Sequence, residues 1–500
     1  MQVDSLLGSR PRKYPGRIAL DDGERRVTYG QLPQLVNDEA RVLSILGGNR
    51  FGLLARNGCA WAIADLALHQ LQRLNVPLPG YFTSAQLRHV IDDAGIDTLL
   101  TDDPARVQDR WPEFVLLVSS PASGLSLLRR ALHPDRVPGV PEGVTKVTYT
   151  SGSTSEPKGV CLSASAIGSV SRSLCAATAS LRIRRHLSLL PLPTLLENIG
   201  GVHVALQCAA TCILPPASQT GMDYGALDES HLLAALDAAQ PESLILVPEL
   251  LRILVSAARA GRALPSSLKF IALGGAPVSE DLLREAAELQ LPVYEGYGLS
   301  ECASAVCLNT PGAARRGSVG RPLPHARVRL DSAGQLLVSG AVMSGYLGAP
   351  LASPLLEVAT GDIGEIDDQG YVHIRGRLRN IYITSLGRNV SPEWVEREIT
   401  RDPAIQHAVV YGEGKPHAAA LLSPARAGLD DSVAERAIAR ANTRLPDYAL
   451  VRRWAWMPEI PSPSNGLLTA SGRLRRDRVL ERFASVLQHL LQTPSEASVS

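Results

Sequence analysis

Residues Thr148 to Gly159 read Thr-Tyr-Thr-Ser-Gly-Ser-Thr-Ser-Glu-Pro-Lys-Gly, and this run limits what the chain can become more than any other. Val144 to Tyr149, leading into it, alternate apolar and polar residues as a β-strand does. Small hydroxylated residues let a backbone approach a polyanion closely. Their N–H and O–H groups donate to phosphate oxygens, and Lys158 adds a point charge. The stretch therefore reads as a loop that holds nucleotide phosphates. It is not the Gly-Lys-Ser/Thr type, because Lys158 stands between Pro157 and Gly159. Alone, it would be an ordinary Ser/Thr-rich turn, so the rest of the chain decides.

Strand and helix patterns alternate on both sides of the loop. Strands are expected at Arg26 to Tyr29, Phe51 to Leu54, Asn75 to Leu78 and Thr98 to Thr101, with helices at Gln31 to Leu46, Trp61 to Leu71 and Ser84 to Ala94. That pace implies parallel crossovers. Further on, a helix is expected at Ser163 to Ala179, a strand at Leu187 to Leu190, a strand at Leu244 to Val247 and a helix at Pro248 to Arg259. Leu268 to Leu273 runs into Gly274-Gly275-Ala276-Pro277, with Ser279 as the N-cap of the next helix. A short strand at Pro292 to Tyr294 leads into Glu295-Gly296-Tyr297-Gly298-Leu299-Ser300-Glu301. Gly-rich and hydroxyl-rich segments thus stand at strand ends, where open α/β sheets bind ligands. From Ala326 two hairpins are expected, then a smaller α+β unit after Arg375-Gly376-Arg377-Leu378-Arg379.

Composition narrows the function. Lys and Arg number 50 against 49 Asp and Glu, so bulk charge offers nothing to a nucleic acid. The seven cysteines form no Cys-x-x-Cys pair and have no His cluster, which argues against zinc; they read as small buried hydrophobes. The first residues show no apolar h-region, so no leader is expected, and no run is long enough for a membrane span. A soluble, cytoplasmic protein is expected.

In this order the motifs resemble the adenylate-forming superfamily of acyl-CoA synthetases, luciferases and peptide-synthetase adenylation domains, from about Pro15 to Leu491. The resemblance implies an α/β fold: a large domain of layered sheets and helices over 1–375, a hinge at 376–380, a small mobile α+β lid over 381–492, and a disordered tail at 493–500. It implies that ATP and a carboxylic acid give an acyl-adenylate and pyrophosphate, and that the acyl group passes to a thiol of CoA or of a carrier protein. Thr150, Ser151, Gly152, Ser153, Thr154 and Lys158 then match the phosphate loop. Gly274, Gly275 and Ala276 match a wall against adenine, and Tyr297, within Glu295, Gly296 and Gly298, the ring that stacks on it. Ser300 stands where a Thr is frequent. Glu301, with Thr154, matches the Mg²⁺ site, while Asp362 and Arg377 match ribose or phosphate contacts. Thr194, Asn198, Gly200, Val247 and Leu299 match the acyl pocket, with Gly201 adding room. Gly387 matches the thiol tunnel and Arg379 the pivot. The wording around Ser385 to Pro392 and Asn465 to Thr469 is similar to the long-chain acyl-CoA synthetase branch.

Two departures matter. Where the family carries its adenylation Lys, this chain has Arg473, cationic but bulkier and planar. Ser155 stands where the loop carries Gly. Arg473 could still neutralise charge on the carboxylate and α-phosphate. The opposed reading is a protein that binds nucleotide or acyl-adenylate without turnover. A third reading has the basic run Arg475, Arg476 and Arg478 meeting an acidic carrier protein.

Overall fold

The structure is a computed structural model that describes residues 6–132, 137–150, 157–223, 226–276, 278–349, 355–377, 382–383, 389–413, 415, 417–445, 449–469 and 472–492. The phosphate-loop residues Ser151, Gly152, Ser153 and Thr154, together with Ser155, Arg379, Gly387 and the tail, lie outside them.

Parallel crossovers build the first sheet. Strand β1 (Arg50–Leu54) leads to helix α1 (Cys59–Leu71), β2 (Leu74–Pro77), β3 (Thr98–Thr101), and then β4 (Val144–Thr150). β1 pairs in parallel with both β2 and β3, setting Phe51 against Asn75 and Thr98. β4 lies beside β2 and pairs antiparallel with β5 (Lys158–Ser163). Thr150 and Lys158 are register partners on that hairpin, so Lys158 opens a strand. Ser163 then caps α2 (Ala164–Thr178) through the Ala166 N–H at 3.1 Å, a contribution of about 1 kcal/mol. The apolar stripe of α2 (Ile167, Val170, Leu174) shares a core with Phe270.

The second sheet holds β6 (Arg185–Leu187), β7 (Ser243–Leu246), β8 (Phe270–Leu273) and β9 (Val293–Tyr297), with helix α3 (Glu280–Glu288) connecting β8 to β9. The strand expected at Leu187 to Leu190 lies earlier, at β6. Tyr297, expected in a loop, ends β9. Among the described residues the two sheets have eight and nine strands. Strands unforeseen in the sequence include Ile18–Asp21, Val115–Ser119, Ser126–Arg129 and Thr211–Ile213.

Both expected hairpins form, β10 (Ala326–Leu330) with β11 (Gln335–Gly340), and β12 (Glu357–Ile366) with β13 (Val372–Arg377). Beyond them α4 (Pro392–Ile399), β14 (Ile405–Tyr411), β15 (Ala418–Pro424) and β16 (Val451–Trp456) build the C-terminal unit. It docks on the helix whose N-cap is Ser279: Arg401 lies 3.1 Å from Asp281 and 3.3 Å from Glu280. First-turn acids that suit the helix dipole thus also hold the second unit. Five cysteines are buried; Cys175 and Cys208 are half-buried and in contact. Among the described residues no helix is long and apolar enough to cross a membrane.

Candidate active site

A cleft of about 1960 Å³ runs between the strand ends of the second sheet, the β4–β5 hairpin and the C-terminal unit. Thr150 and Lys158 line one side. Gly274, Gly275 and Ala276 line another; Gly275 has φ +80°, which glycine adopts without strain. Gly296, Tyr297, Gly298, Leu299, Ser300 and Glu301 follow along the same wall. A Cβ on Gly298 would sit 1.6 Å from the Ser304 carbonyl oxygen, so close backbone approach requires glycine there.

Asp362 is buried at the cleft edge. It accepts from the Tyr297 hydroxyl at 2.5 Å and from Arg377 Nε at 3.0 Å. Burial, then the Asp362 charge, raises the Tyr297 pKa, so its hydroxyl keeps its proton. Glu301 accepts from the Tyr346 hydroxyl at 2.9 Å, and Lys158 Nζ stands 6.0 Å from the Tyr346 ring centre. Sequence reasoning did not foresee Tyr346.

Arg473 reaches this cleft from the C-terminal unit. Thr469 holds its backbone: the Arg473 N–H donates to Thr469 Oγ1 at 2.9 Å, and Gly472 turns at φ +77°. Desolvation in the cleft lowers its pKa, and so does Arg377, while Glu393 opposes both. An arginine so placed stays cationic. Arg476, expected as part of a docking surface, instead pairs with Glu396 and donates to the Val410 carbonyl, pinning β14 to its own unit.

Two expected site residues stand apart from the cleft. The Glu295 side chain faces the surroundings of Arg397 and Glu280, and burial raises its pKa to about 7. Asn198 is 1 % exposed and bonds Lys146 at 2.5 Å and Asp65 at 3.0 Å. It belongs to a sealed polar cluster and does not line the acyl pocket, because buried Asp65 and Lys146 need its amide.

The apolar arm of the cleft is built in rows. Parallel register sets Ser243 beside His186 and Phe270, and Ile245 beside Ala272. Ser243, Ile245 and Val247 share one face of β7 and its exit by the period of two, and all three line the cavity. The covering layer is the segment Leu195–Glu197 and the π-helical turn Asn198–His203; Thr194, just before it, and Gly200 within it also line the cavity. A Cβ on Gly275 would lie 3.8 Å from Leu196 and 3.5 Å from Val247. One on Gly200 would lie 3.2 Å from Ile245, and one on Gly201 2.8 Å from His186 Nε2. Leu196, Gly200 and Gly201 thus cover successive rows.

Among the described residues no group of three or more His, Cys, Asp or Glu side chains could hold a metal by itself. Glu301 in an open, phosphate-sized cleft nonetheless fits Mg²⁺, which takes one or two carboxylates and completes its shell with phosphates and water.

Known proteins match this architecture end to end. The family model "AMP-binding enzyme" matches residues 8–347, and "AMP-binding enzyme C-terminal domain" matches residues 380–494. A feruloyl-CoA synthase of Amycolatopsis sp is 28% identical, covering 95% of this chain and 99% of its own length. A long-chain-fatty-acid–CoA ligase of Mycobacterium bovis is 25% identical over 89% of this chain and 88% of its own length. The o-succinylbenzoate CoA synthetase of Bacillus subtilis, solved with its acyl-adenylate intermediate, superposes with a TM-score of 0.76 at 22% identity, over 95% of this chain and 97% of that one. By sequence over most of its length and by fold, the chain belongs to the AMP-binding enzymes.

Proposed function

We propose that the protein is an AMP-forming ligase that joins a carboxylic acid to CoA through an acyl-adenylate. The observation that carries this reading is that Lys158, Glu301 and Arg473 line the same cleft as the Gly274–Ala276 wall and Tyr297. One carboxylate oxygen of the acid attacks the α-phosphorus of ATP. The bond to the bridging oxygen breaks, and its electron pair leaves with pyrophosphate. The CoA sulfur then attacks the acyl carbonyl and AMP departs.

Asp362 accepts from the ribose hydroxyls, held in place by Tyr297 and Arg377. Lys158 and Thr150 hold the β- and γ-phosphates, a role the phosphate-loop motif extends to residues 151–154. Gly274, Gly275 and Ala276 flank the adenine, and the Tyr297 ring stacks on it. Arg473 lies against the carboxylate and the α-phosphate, where charge accumulates. Mg²⁺, when bound, would neutralise the departing pyrophosphate from Glu301 and Thr154. Residues 376–380 act as hinge, pivoting at Arg379, so that the C-terminal unit brings Gly387 to the thiol tunnel. A carrier-protein thiol is a second acceptor compatible with this chemistry. The use of ATP and CoA fits a cytoplasmic setting.

The test is pyrophosphate release with ATP and a panel of aryl and alkyl acids, on wild type, Arg473→Lys and Arg473→Ala. Wild type turns over, Arg473→Lys stays within about tenfold of it, and Arg473→Ala loses on the order of 10²-fold in kcat. Turnover in Arg473→Lys alone would establish the binding-only reading; silence from every protein would end the ligase reading.

A further inference from the structure

The acyl arm contains a feature that a chain-binding trench does not need. His186, at 4 % exposure, and Ser243, at 7 %, line its wall, and Glu197 behind them is fully buried. His186 Nε2 lies 3.0 Å from Glu197 Oε1, and the Leu190 N–H donates to Glu197 Oε2 at 3.1 Å. His186 Nδ1 lies 2.9 Å from Ser243 Oγ. Burying an imidazole and a carboxylate costs free energy that an apolar wall would not incur.

With Glu197 ionised and His186 neutral, the carboxylate accepts from Nε2–H, so Nδ1 keeps a lone pair and accepts from the Ser243 hydroxyl. Ser243 Oγ then turns its lone pairs toward the cavity, as an acceptor. Its depth follows from the strand: four residues separate Val247, at the nucleotide end, from Ser243, or about 13 Å at roughly 3.3 Å per residue. Between them Ile245, Ala272 and Gly200 keep the passage apolar and free of bulk.

We infer that Ser243, positioned by His186 and Glu197, is a specificity-determining residue that accepts a hydrogen bond from a hydroxyl or N–H at the far end of the acid. The substrate is thus a donor-terminated acid of hydroxycinnamate length, and not a plain hydrocarbon acid. The inference rests on the ligase reading above and names the substrate class of that site.

The test uses acids differing only in the terminal hydroxyl: 4-hydroxycinnamate against cinnamate, and 8-hydroxyoctanoate against octanoate. kcat/KM for pyrophosphate release is measured on wild type, Ser243→Ala and His186→Gln. In parallel the matching acyl-sulfamoyl adenosines, which cannot turn over, are titrated by calorimetry. Wild type favours the hydroxylated member of at least one pair by about 10- to 100-fold, and which pair separates aryl from alkyl acids. Ser243→Ala brings that ratio to within about twofold of unity, and His186→Gln lowers it partly; a purely structural role would lower activity on both members alike. Equal use of both members in both pairs, or an undiminished ratio in Ser243→Ala, overturns the inference and leaves the ligase standing. Hydroxyl-dependent binding of the sulfamoyl adenosines without pyrophosphate release would do the reverse.

Discussion

Glu197 and Asn198 are chain neighbours, both buried, and they anchor to opposite sheets. Glu197 turns to the nine-stranded sheet, to His186 beside Ser243; Asn198 turns to Lys146 of the eight-stranded sheet and to Asp65 of helix α1, which follows β1 of that sheet. Each cluster combines a carboxylate with a histidine. In the Asp65 cluster the carboxylate is saturated: Lys146 at 2.7 Å, the Asn75 amide at 2.7 Å, Asn198 at 3.0 Å, and His203 at 3.2 Å. Burial pushes the Asp65 pKa up, yet Lys146 and His203 more than offset it and leave Asp65 ionised. That cluster is sealed and ties α1, β4 and the π-helical turn together. The Glu197 cluster instead ends on a hydroxyl at the cavity wall. The difference is access: similar groups make a fastening when the carboxylate is fully engaged inside the cluster, and a recognition point when the chain of bonds ends on a hydroxyl facing a cavity.

The comparison predicts its largest effect at Lys146. Lys146→Met leaves Asp65 without its cation in a fully buried site, and should destabilise by about 3–5 kcal/mol in urea denaturation. A loss below about 1 kcal/mol would mean the two amides and His203 suffice for Asp65. Next comes Gly201. An added Cβ would sit 2.2 Å from Glu197 Oε1. Gly201→Ala should therefore cost about 1–3 kcal/mol and weaken discrimination between hydroxylated and plain acids. Gly200→Ala, 3.2 Å from Ile245, should cost less in the same urea assay. Equal costs would show that the turn yields as a whole.

The last effect is pH-dependent and separates the sealed cluster from the open one. Burial, then His203 and Lys146, depress the pKa of His69 from 6.5 to about 3, with Asp65 opposing. A depressed folded-state value means that its stabilising contribution is present above pH 6.5 and is lost as pH falls from 6.5 toward 3. Going from pH 7 to pH 5 should cost about 2 kcal/mol, and His69→Gln should flatten the urea midpoints over that range. An unchanged slope would remove His69 from the account.

Local pattern made much of this chain legible. The helix at Pro248–Arg259 matches its expected bounds, and both late hairpins pair as expected, because apolar periodicity and turn residues act over a few residues. The cleft residues Lys158, Gly274, Tyr297 and Glu301 were readable because their motifs are contiguous. His186 was not: Arg185 and His186 lack the apolar signature of a strand, and only Glu197 and Ser243, brought from 11 and 57 residues away, satisfy that imidazole inside a sheet. Asn198 fell within a motif and still belonged elsewhere, since its burial partners come from helix α1 (Asp65) and from the other sheet (Lys146).

By itself, then, the sequence determined much of the order of strands and helices, the motifs that line the cleft, and the presence of an arginine at 473. These depend on local spacing and on side-chain chemistry that travels with each residue. Tertiary structure alone decided that Arg473 reaches the cleft beside Arg377, that Asn198 is sealed away, and that Ser243 presents an oxygen about 13 Å inside an apolar arm. Strand register and burial set those outcomes, and both arise only when residues distant in the chain pack together.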